Sequence, residues 1–379
     1  MNASIHLITR ILLSVMKKLQ QIIIVLALGS FFSGGMLAQT NIERMFPNLV
    51  LTREQYNKWK SAIDSTTTSD GKTAFDSFVR LLSITTIRDD VTPSPVTSLS
   101  VSGASAIVAS DMQRMYALCL YYAFTQSDVY LAKAKQFYLA WAAVNTAVKE
   151  NSPGETIYNP GIEGYSIIRN CIDSTSRVAI DAWMRKRAAV ASADGVRTNN
   201  WQTIRLQFLL YYGLLLNDAS ILTKFSGGYD PFIPINLYPN GTSIDLLGRD
   251  AFAYHAYDLL FFAKILKAEA CYYGFAKADS MYAKEYQWGS SIKKSVDFWK
   301  PYLLYPTKYS HIEFLETEYT PDIASHPSEY NKPYNPSGTI YVVDEMYLLD
   351  QDLFQAIKLY RGNTKTATLA LWLSALRWN

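Results

Sequence analysis

Apolar residues recur three and four positions apart along most of the chain, the spacing of helices with one buried face. The pattern predicts helices over 73–86, 106–125, 128–148, 157–170, 176–190, 199–216, 250–275, 288–299, 338–361 and 364–377. Thr52-Arg53-Glu54-Gln55 has the form of a capping box and opens another helix. Gly213, Gly274 and Gly362 stand near expected helix ends. No strong period-two alternation competes with this reading.

Three segments interrupt it. Residues 90–103 are rich in Ser, Thr and Pro and read as a loop. Residues 227–248 hold Pro231, Pro234, Pro239 and the turn sequence Asn240-Gly241-Thr242, which predicts a long loop or a pair of turns. Residues 305–337 carry Pro306, Pro321, Pro327, Pro333 and Pro336 among many tyrosines. Long structured loops of this kind often carry function. Helices of similar length joined by short turns predict antiparallel helical hairpins, arranged as a solenoid or closed into a toroid. No exact repeat is visible, which weighs against a regular solenoid. No linker divides the helical part.

The N-terminus stands apart. Lys17 and Lys18 precede an apolar run from Ile22 to Phe32, then small residues and Ala38-Gln39. Residues 1–38 therefore read as a secretory signal, with Met16 the better start. The apolar run is too short to span a bilayer, and no Cys follows it for lipid attachment. The expected product, residues 39–379, is periplasmic or secreted, with no stable membrane insertion once the signal is removed.

Charge follows from this division. Residues 1–38 carry Arg10, Lys17 and Lys18 and no acid, so the 36 basic residues less these three equal the 33 acidic ones. A neutral mature chain does not steer a polyanion from afar, so any anionic ligand needs a local basic pocket. No basic stripe supports nucleic-acid binding. Three cysteines are too few and too odd in number for a disulfide framework. Neither Cys nor His shows metal-site spacing. The 27 tyrosines and 8 tryptophans suit sugar stacking and helical cores alike.

Chemistry concentrates in one run, Arg249-Asp250-Ala251-Phe252-Ala253-Tyr254-His255-Ala256-Tyr257-Asp258. A second polar cluster, Thr198-Asn199-Asn200-Trp201, opens an apolar helix about fifty residues earlier. These clusters and their flanks resemble the alginate lyase family of polysaccharide lyases. The resemblance runs through "MYALCLYYAFTQSDVYLAKAKQFYLAWAAVN", "NPGIEGYSIIRNCIDSTSRVAIDAWMRK", "RTNNWQTIRLQFLLYYGLLLND", "PNGTSIDLLGRDAFAYHAYDLLFFAKI" and "KYSHIEFLETEY". It implies an all-α chain folded as an α/α toroid, an incomplete barrel of helical hairpins. It also implies β-elimination at the C4–O bond of a uronate, with an acidic polysaccharide as partner and no cofactor. Two departures stand out. The family reads Asn-Asn-His where this chain has Asn199-Asn200-Trp201. It also places an Arg seven residues before the catalytic Tyr, where this chain has Leu247, with Arg249 nearby.

Elimination of this kind needs three things. Donors or a cation must offset the uronate carboxylate, a base must take the C5 proton, and an acid must protonate the leaving O4. The amides of Asn199, Asn200 and Gln202 and the guanidinium of Arg249 or Arg205 suit the first task. Tyr254 sits at the family's catalytic position, before a His, and serves as base and acid if its pKa falls. At about 100° per residue from Arg249, Tyr257 lies at about 80°, Tyr254 at about 140° and His255 at about 240°. Arg249, Tyr254 and Tyr257 then share a face, if Arg249 is already helical, and His255 turns away to orient the helix or act from the other side. Trp201 and His311 complete the candidate substrate contacts. Each residue also has a structural reading: Asn199 as an N-cap, Arg249 paired with Asp245 or Asp250, His311 and Glu313 pinning a loop, Trp201 buried against a neighbour. The rivals to a lyase are a hydrolase on the same toroid and a glycan-binding protein of an uptake system.

Overall fold

The computed structural model describes residues 41–64, 91–146, 151–363 and 368–378. The expected signal at 1–38 and the expected helix at 73–86 lie outside the described residues. The chain divides into two compact units, 1–45 and 46–379. The first contributes one helical turn at 41–44. The second holds every candidate residue.

The second unit is built of helices. In chain order those of five residues or more are α1 (Arg53–Asp64), α2 (Ala104–Thr125), α3 (Asp128–Val144), α4 (Asn159–Ile168), α5 (Ser174–Ala193), α6 (Asn200–Leu216), α7 (Ala219–Asn236) and α8 (Ile244–Arg249). Then follow α9 (Phe252–Tyr273), α10 (Phe275–Ala283), α11 (Ile292–Leu304), α12 (Pro321–Ser325), α13 (Ile340–Met346), α14 (Phe354–Arg361) and α15 (Leu369–Ala375). Two-residue strands, β1 (Ile312–Glu313) and β2 (Lys332–Pro333), pair antiparallel. The capping box forms as the sequence predicts: the Thr52 amide donates to Gln55 Oε1 at 2.9 Å, and the Gln55 amide donates to Thr52 Oγ1 at 3.1 Å.

Successive hairpins build an α/α toroid. Helix α2 packs on α3 and α4, α6 on α5, α7 and α9, and α9 on α10 and α13. All of α6 except Trp201 is buried. A helix apolar on every side belongs in the middle of a helical assembly. Gly164 lets α4 approach α2 closely, since a Cβ there would stand 3.0 Å from Tyr116 Cα and 2.8 Å from the Tyr138 hydroxyl. Helix α1 ties the two ends of the ring together: Gln55 Nε2 donates to the Leu373 carbonyl at 2.8 Å and the Tyr56 hydroxyl to the Ala123 carbonyl at 2.9 Å.

Much of the aromatic surplus fills this core. Trp59, Trp141, Trp183 and Trp299 are fully buried. Their indoles find acceptors where the core is polar: Trp141 donates to Asp111 and Trp183 to Asn145, both at 2.9 Å. Truncating one such ring to Ala typically costs about 3–5 kcal/mol.

Several boundaries differ from those the sequence predicts, three of them with a clear physical cause or consequence. The expected loop at 227–248 is largely helix: α7 runs to Asn236 with Pro231 and Pro234 inside it. Ile221, Phe225, Tyr229, Phe232 and Ile233 form its buried stripe at helical spacing, and this burial outweighs two missing backbone donors on the opposite side. The Asn240-Gly241 turn does form, with the Gly241 amide donating to the Tyr238 carbonyl at 2.9 Å. The expected helix 250–275 begins only at Phe252, because Asp250 closes α8 in the left-handed conformation at φ 51°. The expected helix 338–361 is broken between α13 and α14.

Candidate active site

The break at Asp250 sets the geometry of the site. Arg249 ends α8 and Tyr254 lies in the first turn of α9, so a corner rather than one helical face brings them together. Arg249 Cζ stands 4.5 Å from the centre of the Tyr254 ring and 4.4 Å from that of Tyr319. Arg249 Nη1 donates to both oxygens of Asp322, at 2.5 and 2.6 Å. The Tyr254 hydroxyl donates to Asp322 Oδ1 at 3.0 Å. Both bonds from Arg249 to Asp322 run through Nη1, and Tyr254 is a further side-chain partner of the guanidinium.

Asp322 and Tyr319 come from the proline-rich segment 305–337, which lies across the α8–α9 corner as a strap. His326 of the same strap stacks on Phe314, ring centres 4.9 Å apart, and meets the Tyr254 ring edge-on at 5.7 Å. His311 also holds the strap: its Nε2 donates to the Asp250 carbonyl at 3.0 Å, and its ring meets Phe252 at 5.3 Å. Glu313 reaches the open end of α9, where it accepts from the Phe252 amide at 2.9 Å and the Ala253 amide at 3.4 Å. These are orphan donors of a helix N-terminus, so Glu313 acts as a cap supplied from a remote segment.

The Asn-Asn cluster lies on the other flank. Asn199 is the N-cap of α6 and accepts from the Trp201 amide at 3.3 Å. The Asn200 amide donates to Asp245 Oδ2 at 2.6 Å, and Asp245 sits within the field of Arg249 and Asp322. The Asn200 side chain is only 3% exposed, yet its Oδ1 has no partner. This oxygen is an acceptor, so its natural partner is a donor such as a water or a hydroxyl. Trp201 is half-buried, with Arg197 5.6 Å over its ring.

Electrostatics separates the groups. Burial raises the Tyr254 phenol to about 12; Arg249 pulls it down and Asp322 pushes it further up. Tyr254 is therefore a phenol at neutral pH, not the activated phenolate that the sequence reading required. Burial raises Asp245 to about 6, against the Asn200 amide and Arg249. Burial also raises Glu313 to about 7, against its two amides and His311.

Four candidates are placed elsewhere. His255 is fully buried: Ser243 Oγ lies 2.9 Å from its Nδ1 and the Ser295 carbonyl 3.3 Å from its Nε2. Burial lowers its pKa to about 4, so it is a neutral core imidazole on the far side of α9, as the helical phase predicts. Tyr257 does not join Arg249. Its hydroxyl meets Thr156, because Arg249 is not part of α9 and the shared face does not exist. Arg205 is buried and turned to α5, with Nε donating to the Ala191 carbonyl at 2.9 Å. Gln202 is buried and accepts the Arg197 amide at 3.3 Å. Asp322, Tyr319 and His326 escaped the sequence reading. Only the prolines spread over 305–337, with Pro321 and Pro327 enclosing Asp322 and His326, hinted at a fixed strap.

The family model described as Alginate lyase matches residues 99–308, more than half of the chain. The chain belongs to the alginate lyase family. No curated protein matches it. Among solved structures it is similar to an alginate lyase from Bacteroides ovatus, with 13% identity and a TM-score of 0.62 over 87% of this chain and 99% of that one. It is also similar to alginate lyase A1-III from Sphingomonas species A1, at 14% identity and a TM-score of 0.55 over 80% of this chain and 87% of that one. A histidine-to-alanine variant of that enzyme, complexed with tetrasaccharide, matches at 13% identity and a TM-score of 0.56 over 79% and 87%. These likenesses carry the fold. As a member of the alginate lyase family, the chain is a polysaccharide lyase. Among the described residues no helix is long and apolar enough to cross a membrane, and no group of three His, Cys, Asp or Glu could hold a metal.

Proposed function

We propose that the protein cleaves a uronate-containing polymer, alginate or a related glucuronan, by β-elimination at the site between Asn200, Arg249 and Tyr254. The Arg249 guanidinium, 4.5 Å from the centre of the Tyr254 ring, carries this reading. Nε and Nη2 of Arg249 offer a planar pair of donors to a carboxylate. Asn200 can add a neutral donor only through Nδ2, its Oδ1 being an acceptor. Together they offset the negative charge that makes the C5 proton hard to remove. Tyr254, held as a phenol beside Arg249, suits the acid that protonates the departing O4. The tetrasaccharide held by the related alginate lyase supports an oligomeric acidic sugar as ligand.

A binding protein without activity is the rival reading, and Trp201 in the place of the family's histidine favours it. One experiment separates the two. The mature protein is incubated with a panel of uronate polymers while the far-ultraviolet absorbance of the new C4–C5 double bond is followed. Rising absorbance is the expected result. New reducing ends without absorbance would mean a hydrolase, and binding with neither would mean a glycan-binding protein. We also propose that residues 1–38 direct export to the periplasm or beyond, and N-terminal sequencing of the secreted protein tests this.

A further inference from the structure

We propose that His326 is the base of the elimination, taking the C5 proton through Nε2 while Tyr254 supplies the proton to O4. The inference rests on the lyase reading above and adds to it a residue from the strap.

Three observations carry it. First, the surroundings select one tautomer. His326 Nδ1 lies 3.2 Å from the Asp322 carbonyl, which can only accept, and 3.1 Å from Ser325 Oγ, which has the Pro321 and Asp322 carbonyls in reach for its own proton. Nδ1 therefore carries the hydrogen, and in the neutral ring Nε2 keeps its lone pair. Second, Nε2 has no protein partner among the described residues, and His326 is half-buried rather than enclosed. Third, the ring is fixed. Phe314 stacks on it at 4.9 Å with planes 19° apart, and Tyr254 stands against it at 5.7 Å.

Asp322 links the parts. Its side chain holds the Tyr254 hydroxyl and Arg249, and its main-chain carbonyl holds the His326 ring. One residue thus orients an acid, a cation and an imidazole. By contrast His255, the other imidazole beside Tyr254 in sequence, has both nitrogens engaged in the core.

The step balances without a co-reactant. Nε2 takes the C5 proton, and the C5–H electron pair becomes the C4–C5 double bond. The C4–O4 bond breaks, and O4 takes the Tyr254 proton. The products are an unsaturated uronate end and a new hydroxyl end. The imidazolium proton then returns to the phenolate, directly or through water, and resets both groups. This division removes the difficulty of Tyr254 as base, since a phenol pushed up to about 12 is scarcely ionised near neutrality.

The test uses the mature protein with alginate and polyglucuronate. His326→Ala is expected to lower kcat on the order of 10²–10³-fold with little change in KM. Free imidazole is expected to restore part of the rate in His326→Ala but not in Tyr254→Phe, a readout that a structural role does not move. His326→Gln keeps a donor for the Asp322 carbonyl and serves if the Ala variant fails to fold. Histidine nitrogen NMR on the wild type adds an independent arm: Nε2 should be unprotonated and should shift when a saturated mannuronate tetramer binds. A wild type that cleaves while both His326 variants keep its rate overturns the inference and leaves the lyase reading intact. A wild type that neither cleaves nor binds any of these sugars overturns both.

Discussion

Asp322 accepts the Tyr254 hydroxyl at 3.0 Å across 68 residues of sequence. The same carboxylate is forked by Arg249, 73 residues away. The strap and the α8–α9 corner are therefore one unit. Asp322→Asn keeps the shape but removes the charge, leaving Arg249 without its ionic partner. The expected loss of stability is about 1–3 kcal/mol, measured by urea unfolding. The Tyr254 phenol should titrate lower in the variant, since Asp322 raises it and Arg249 remains. Tyrosinate absorbance during an alkaline titration, compared with Asp322→Asn/Tyr254→Phe, checks the direction. A phenol that titrates unchanged means Asp322 does not set it.

Tyr254→Phe removes one oxygen at the rim of the strap. Its hydroxyl is the proposed acid, so kcat should fall on the order of 10²–10⁴-fold. The ring still packs against Phe314 and under Arg249, so binding of oligomers and the thermal midpoint should change little. Full activity in this variant would move the chemistry elsewhere on the toroid.

Much of the ring was legible in the sequence. The inner helices are long, almost wholly apolar runs bounded by Gly274 or a clear cap such as Asn199, so propensity and burial agree. Helix α7 was hidden because Pro231 and Pro234 carry the local signal of a turn, while the burial that overrides it comes from neighbouring helices. The Arg249–Tyr254 pairing was legible only in part: helical phase put the two together for the wrong reason, since the left-handed Asp250 ends α8 and α9 starts afresh at Phe252. Asp322 and His326 were not legible at all. Their positions depend on how the strap docks, which no spacing along the chain records.

The two titrating anchors of α9 should give stability opposite pH slopes. His255 has a folded pKa of about 4, lowered by burial from 6.5. Below 6.5 the unfolded chain takes a proton that the folded one refuses, so stability falls from about pH 6.5 down to about pH 4, by on the order of 3 kcal/mol. Glu313 behaves in the other sense. Its folded pKa is raised to about 7 from 4.5, so its contribution is full below 4.5 and is lost as pH rises through 7. Urea unfolding from pH 4 to 8 tests both. His255→Gln should flatten the acid side. Glu313→Gln should change stability little at pH 5, where Glu313 is itself neutral, and should stabilise relative to the wild type at pH 8, because Gln keeps an acceptor for the Phe252 amide without a buried charge.

Asn200→Ala gives the sharpest separation of binding from folding. The side chain is buried, yet its Oδ1 bonds to nothing, while the backbone N–H that Asp245 holds stays in place in the variant. An unsatisfied buried polar atom costs about 1–3 kcal/mol, so removing it should leave the protein as stable as before or more so. Function should move the other way. If the amide donates to the uronate carboxylate as charge develops there, its loss should lower kcat/KM on the order of 10–100-fold. Loss in kcat marks a contact made in the transition state, and loss in KM alone marks uniform binding. Unfolding curves and steady-state rates on the same preparation decide it. A variant that is less stable and equally active would make Asn200 a structural residue of α6, and the carboxylate would then rest on Arg249 alone.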